Sequence, residues 1–192
     1  MTDVLDTRGV AHSRTLVDAG RLRIVLTECP ELIDAVQRLR YDVFAAEPGF
    51  SDQIGDPTTR RDADHVDDFA EHLVAIDDEY GVLGCARLLA PPRAIAAGGW
   101  YSASESDLTE INRIGGSVVE MGRACVAPGH RHGAITALLW AAVLRYLDDA
   151  DYRYLMGCVS VPLGGPGDEQ RGSTLRGVRD HVLDRLPYGF ED

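Results

Sequence analysis

The stretch Val118-Val119-Glu120-Met121-Gly122-Arg123-Ala124-Cys125-Val126 decides how the rest of the chain is read. Both ends are apolar and β-branched, which predicts a buried strand. Glu120 and Arg123 sit inside it, and charged residues are seldom fully buried unless paired. Ala127-Pro128-Gly129 and His130-Arg131-His132-Gly133 follow, then an apolar helical run from Ala134. A strand, a basic turn and a helix N-terminus together make an anion site. Free backbone N–H groups and the positive end of the helix dipole both face the turn.

Working outward, Arg21–Thr27 alternates as a strand does, and Pro30 opens a helix whose apolar residues run from Leu32 to Phe44, with Arg40 near its end. Residues 45–68 read as a long loop closing in the acidic cluster Asp62, Asp64, Asp67, Asp68. Glu71–Ile76 and Val82–Leu89 read as a strand pair joined through Asp77–Gly81, with Arg87 in the second strand. Ser104–Ile111 reads as a short helix capped by Ser104. After the central strand come a helix over Ala134–Ala150, a strand over Tyr154–Ser160 and a closing helix over Glu169–Leu186. Residues 1–20 read as a loose leader and 21–192 as one domain. The order β-α-β-β-β-α-β-α predicts a mixed α/β (α+β) fold: a central sheet flanked by helices.

The 192 residues carry 19 basic and 31 acidic side chains, a net charge of −12, which argues against nucleic acid as a partner. All the basic residues are arginine, so Schiff-base chemistry is excluded and every cation is a guanidinium fork. No apolar run reaches membrane-span length and no secretory leader is visible, which leaves peripheral membrane contact as the only kind expected. The four cysteines are far apart, with no metal or redox spacing; reduced thiols and a cytoplasmic location are the expectation. The aspartates lack EF-hand spacing, so no metal is expected.

The order and several motifs resemble the Gcn5-related N-acyltransferase (GNAT) superfamily. The resemblance is closer to its ornithine–acyl carrier protein N-acyltransferase (hemolysin-like) group, which is similar to the acyl-homoserine lactone synthases. It is carried by Arg40-Tyr41-Asp42-Val43-Phe44, by Asp64/Asp67 leading to His72-Leu73-Val74, and by Gly84 to Leu89. Tyr101-Ser102, Ser106-Asp107-Leu108, Glu120-Met121-Gly122-Arg123, Leu139-Trp140 and Met156-Gly157-Cys158 complete it. The resemblance implies a GNAT-like sheet whose central strand parts from its neighbour to hold a pantetheine arm. It implies acyl transfer, in a ternary complex, from an acyl carrier protein or CoA thioester to a small ornithine-like amine, as in ornithine-lipid biosynthesis. No cofactor is bound; acyl-CoA or acyl-phosphopantetheine is a co-substrate. Alternatives are an acetyl-CoA-dependent N-acetyltransferase, an enzyme like the acyl-homoserine lactone synthases, or a non-catalytic thioester or carrier-protein binding module. Two features depart from the superfamily. Ala134 and Thr136 replace the small residues of its phosphate loop, and its closing strands have no counterpart in the last 30 or so residues.

The candidate residues carry two readings each. Glu120 is general base or amine anchor, or else an ion-pair partner. It and Arg123, three apart, point to opposite strand faces unless a bulge intervenes. Arg87 and Arg123 orient the acceptor or hold the carboxylates. Arg40 and Phe44 line the acceptor site, or else cap the helix and pack the core. Asp64 and Asp67 form an acidic lip for an ammonium group, or a solvated loop. His72 shuttles a proton or is structural. For the donor, Cys125 and Val126 supply backbone N–H groups near the oxyanion, and Arg131, His132 and Gly133 meet phosphate. Cys125 as a nucleophile lacks a partner base. Arg113, Arg131 and Arg145 would form the arginine face for an acidic carrier.

Overall fold

The structure, a computed structural model, describes residues 13–47, 54–159 and 171–184. The elements in chain order are β1 (Ser13–Ala19), β2 (Leu22–Thr27), α1 (Pro30–Phe44), β3 (Glu71–Asp77), β4 (Gly81–Leu89), α2 (Pro91–Ala96), α3 (Thr109–Ile114), β5 (Val118–Val126), α4 (Ala134–Asp149), β6 (Tyr154–Met156) and α5 (Arg171–Leu183). Two 3₁₀ turns, His65–Asp68 and Tyr101–Ser104, complete the list. The chain divides into two units, Met1–Cys158 and Val159–Asp192. The first holds the sheet; the described part of the second is Val159 and α5 with Asp184.

The six strands lie in the order β1-β2-β3-β4-β5-β6. All neighbours are antiparallel except β5 and β6, which run parallel across the α4 crossover. Strand alternation sorts the core into two faces. Ile24, Leu26, Leu73, Ala75 and Leu88 pack under Ile135, Leu139, Val143 and Tyr146 of α4. Val25, Val74, Ile76, Cys85 and Cys125 pack under Leu32, Val36 and Val43 of α1.

Three expectations change. Residues 13–19, read as leader, form β1; Leu16 is buried in the α4-face core and Ser13 Oγ meets Thr27 Oγ1 at 2.6 Å. The helix expected over Ser104–Ile111 is split: a 3₁₀ turn ends at Ser104, and α3 begins at Thr109, whose N–H donates to Asp107 Oδ1 at 2.9 Å. The last strand stops at Met156; Ser160 lies outside the described residues, as does most of the expected connection to α5. The β3–β4 hairpin forms as expected, with Asp77 Oδ1 accepting from the N–H of Glu79 and Tyr80 and Gly81 at φ 76°.

The β5–β6 ladder is short, from Val118–Tyr154 to Glu120–Met156. Beyond it a Cβ on Gly157 would fall 2.3 Å from the Met121 carbonyl oxygen. Gly157→Ala therefore has only backbone to push against. It should lower stability by about 1–3 kcal/mol, read as a shift of the urea midpoint. An unchanged midpoint would show that the two strands do not need this contact.

Candidate active site

The register of β5 against β4 slips between Cys85–Cys125 and Arg87–Gly122. Two residues, Arg123 and Ala124, stand opposite the single residue Ala86, so β5 bulges there. Arg123 takes φ 51°, a left-handed conformation that costs a non-glycine residue about 1 kcal/mol. The bulge breaks strict alternation and brings Glu120, Arg123 and Cys125 to the α1 face together. Past Glu120 the flank of β5 facing β6 has no strand partner among the described residues. Among the described residues, β5 is thus paired with β4 as far as Val126 but with β6 only as far as Glu120.

Over this opening lies a network of three arginines and three aspartates. Arg40 falls on the buried stripe of α1, after Leu32 and Val36, and is itself wholly buried. It grips Asp67 with two bonds, Nη1 to Oδ1 at 2.9 Å and Nη2 to Oδ2 at 2.6 Å, and meets Asp62 through Nε at 3.2 Å. Arg87 Nη1 spans Asp64 at 2.6 Å and Asp67 at 2.9 Å. Arg123 reaches Asp62 at 3.0 Å and Asp64 at 3.2 Å. The Tyr101 ring lies between Arg87 and Arg123, with its centroid 5.5 and 5.0 Å from their guanidinium carbons. Burial alone would lower the pKa of Arg40; Asp67 and then Asp62 outweigh it and raise it.

The Asp64–Asp67 spacing has a local cause. Asp64 caps the 3₁₀ turn by accepting from the Val66 N–H at 2.9 Å, and Asp67 answers by accepting from the Asp64 N–H at 3.3 Å. This reciprocal cap fixes both carboxylates so that their remaining oxygen sites face the arginines. The expected acidic lip is corrected accordingly: both aspartates are counter-ions of arginines, and Asp67 is buried. The helix-end reading of Arg40 is likewise replaced by burial in the network. The rim of the network is the Arg123–Asp64 pair, whose side chains are 22% and 23% exposed.

Glu120 is 4% exposed. Its Oε2 accepts from the Tyr101 N–H at 2.8 Å; its Oε1 accepts from the Ser102 N–H at 2.7 Å and from the Ser102 hydroxyl. A carboxylate so occupied cannot touch an amine directly, so the direct general-base reading does not fit its surroundings. Cys158, which is exposed, donates its S–H to Ser102 Oγ at 3.3 Å. Sequence reasoning gave no role to Ser102, Asp62 or Cys158. Tyr101-Ser102 and Gly157-Cys158 belonged to the motifs carrying the resemblance, and that was the one signal available.

The remaining candidates are placed as follows. His72 is wholly buried on β3 opposite Arg87, and neither ring nitrogen has a hydrogen-bond partner among the described residues. Burial, then the charges of Arg40 and Arg87, lower its pKa to about 4 against the pull of Asp67, so it is a neutral structural residue. Phe44 packs against the α1-face core. The Cys125 sulfur lies 3.6 Å from that of Cys85, and this contact and burial push its thiol far up, which removes it as a nucleophile. Gly133 caps α4 at φ 91°, leaving the first N–H groups of the helix toward the turn. Arg131 beside it pairs with Glu47 at 3.1 Å and donates to the Val126 carbonyl at 3.1 Å; His132 is exposed, its ring 6.5 Å from that of His130. Arg113 and Arg145 pair with Glu110 and Asp149, so neither they nor Arg131 make a free arginine face.

A cleft of about 640 Å³ lies away from the bulge, lined in part by Arg14, Glu71, Arg93, Tyr146 and Asp149. Its charges are already paired with each other. Among the described residues no cluster of three or more metal-ligating side chains occurs, and no helix is long and apolar enough to cross a membrane.

A mixed sheet with a bulged, half-open central strand followed by a glycine-capped helix defines an α/β protein of the GNAT-like class. The chain belongs to the acetyltransferase (GNAT) domain family, whose model matches residues 39–141. It is 39% identical over 134 residues to an L-ornithine N(alpha)-acyltransferase of Rhodobacter capsulatus, covering 67% of this chain and 52% of that protein. It is 31% identical over 185 residues to a protein of the same name from Brucella abortus, covering 90% and 66%. The chain thus spans about half to two-thirds of the length of these relatives. Among solved structures it is similar in fold to the AHL synthase LasI, with a TM-score of 0.52 at 17% identity, covering 90% of this chain and 77% of that one.

Proposed function

We propose that the chain transfers an acyl group from a CoA or acyl carrier protein thioester to the amine of ornithine or a close analogue. The observation that carries this reading is the open flank of β5 beside the arginine–aspartate network. Backbone N–H groups of β5 without a strand partner among the described residues can bind the pantetheine arm and the developing oxyanion, a contact that contributes about 3–4 kcal/mol in a water-poor site. The α4 N-terminus with Gly133, His132 and Arg131 receives the donor's phosphate.

The rim pair supports an amino-acid acceptor: the part-exposed Arg123 is offered to its carboxylate, and Asp64 holds Arg123 in place. The buried members, Arg40, Arg87, Asp62 and Asp67, hold that pair in place. With the acceptor bound at the rim, its neutral amine attacks the thioester directly in a ternary complex. The names of the relatives support ornithine as acceptor.

The test is incubation with L-ornithine and a long-chain acyl thioester, on coenzyme A and on acyl carrier protein in parallel. Mass spectrometry should show N-acyl-ornithine and free thiol. Thermal stabilisation by the thioester without any amide product would select the binding-module reading instead.

A further inference from the structure

We propose that the Cys158 thiol is the reacting end of a proton relay, Cys158–Ser102–Glu120, that takes up the proton lost by the acceptor amine and returns it to the departing thiolate. This rests on the acyl-transfer reading above and adds a catalytic residue to it.

Three observations converge. Cys158 follows Gly157, which is pressed against the Met121 carbonyl, so it stands where β6 leaves β5 and the opening begins. It is exposed, whereas Ser102 and Glu120 are buried. The donors run inward in one direction, from Cys158 Sγ to Ser102 Oγ and from Ser102 Oγ to Glu120 Oε1. The other two donors to Glu120 are the backbone amides of Tyr101 and Ser102, which cannot pass a proton on. The Ser102 hydroxyl can both give and accept one. Among the described hydrogen bonds, this is the route by which the buried carboxylate reaches an exposed side chain.

The chemistry balances. The amine nitrogen attacks the thioester carbon; a C–N bond forms and the carbonyl electron pair moves to oxygen. The nitrogen's proton goes to Cys158 Sγ as the thiol proton passes to Ser102 Oγ and the hydroxyl proton to Glu120 Oε1. Collapse re-forms C=O and breaks the C–S bond, with the electron pair leaving on the donor sulfur. The protons then shift back, and Cys158 protonates that sulfur. The relay ends as it began. A thiol suits both steps, since its sulfur can give up a proton and take one.

The test is steady-state kinetics of the full chain with a long-chain acyl-coenzyme A and L-ornithine, comparing wild type, Cys158→Ala and Cys158→Ser. Cys158 is exposed, so both variants should keep the wild-type urea midpoint. We expect kcat to fall about 100-fold in both, with both KM values changed by less than about twofold. Serine keeps the hydrogen bond and loses the acidity, so it should not rescue. The wild-type rate should fall along a curve in H2O/D2O mixtures, because several protons move together; the curvature should vanish in Cys158→Ala. A wild type that turns over beside a Cys158→Ala of equal kcat, or a fully active Cys158→Ser, overturns the relay and leaves the acyl-transfer reading intact. A wild type that forms no amide from any thioester overturns that reading, and the relay with it.

Discussion

Asp67→Ala should destabilise the protein by about 3–5 kcal/mol, the usual loss when one partner of a buried ion pair is removed. Arg40 has no exposed surface and Arg87 almost none, and both lean on this one carboxylate. Truncation leaves two buried guanidinium groups one carboxylate short, and they cannot shed their charge. Asp62 and Asp64 remain but are already shared with Arg123. Asp67→Asn, which keeps the shape and removes the charge, should show most of the same loss. Burial by itself would raise the Asp67 carboxyl; the bonds and charge of Arg40, then those of Arg87, reverse this and hold it well below the usual carboxylate range. Its folded-state proton affinity is therefore lower than in the unfolded chain. The stabilisation is complete above the unfolded value of about 3.9 and is lost as pH falls below it. Urea unfolding at neutral pH decides the matter. A loss under about 1 kcal/mol would mean that the arginines find other counter-charges.

A second, separate acid limb should come from His72. Its folded pKa of about 4 lies below the unfolded value of 6.5, so the unfolded chain binds this proton first. Stability should be flat above about pH 6.5 and fall by about 3 kcal/mol between there and pH 4. Protonation would add a third buried cation to the charges of Arg40 and Arg87, which is why burial and these neighbours both resist it. His72→Met, of similar volume, should abolish this limb and leave the lower one belonging to Asp67. Wild-type urea midpoints that do not change between pH 7 and pH 4.5 would sink the assignment.

The same residues show what a sequence can carry. Helical periodicity is a local property, and it ran true from Leu32 to Phe44; position 40 falls on the stripe that Leu32 and Val36 begin. That an arginine on this stripe stays buried depends on Asp62 and Asp67, more than 20 residues away, so a local reading placed it as a helix cap. Val118–Val126 announced a buried strand with charges inside, and the strand is there. Its bulge left no trace in the pattern, because one extra residue is decided by pairing with β4. Without the bulge Arg123 points away from the site; with it, Arg123 becomes the rim. The Asp64/Asp67 pair was visible as acidity, while its neutralisation by three arginines was not. β1 carries little signal because Leu16 is its one fully buried residue in a mostly polar stretch, and its strand character comes from the neighbouring β2.

The sequence by itself determined the long helices, the strands β2 to β5, the α/β class and the family likeness, since each rests on short-range periodicity and ordered motifs. Only the tertiary structure decided which charges neutralise one another, on which face Arg123 emerges, and that the Glu120 carboxylate is held by Tyr101 and Ser102. Those depend on contacts across 18 to 59 residues of chain, where the low polarity of the interior makes an unpartnered charge costly.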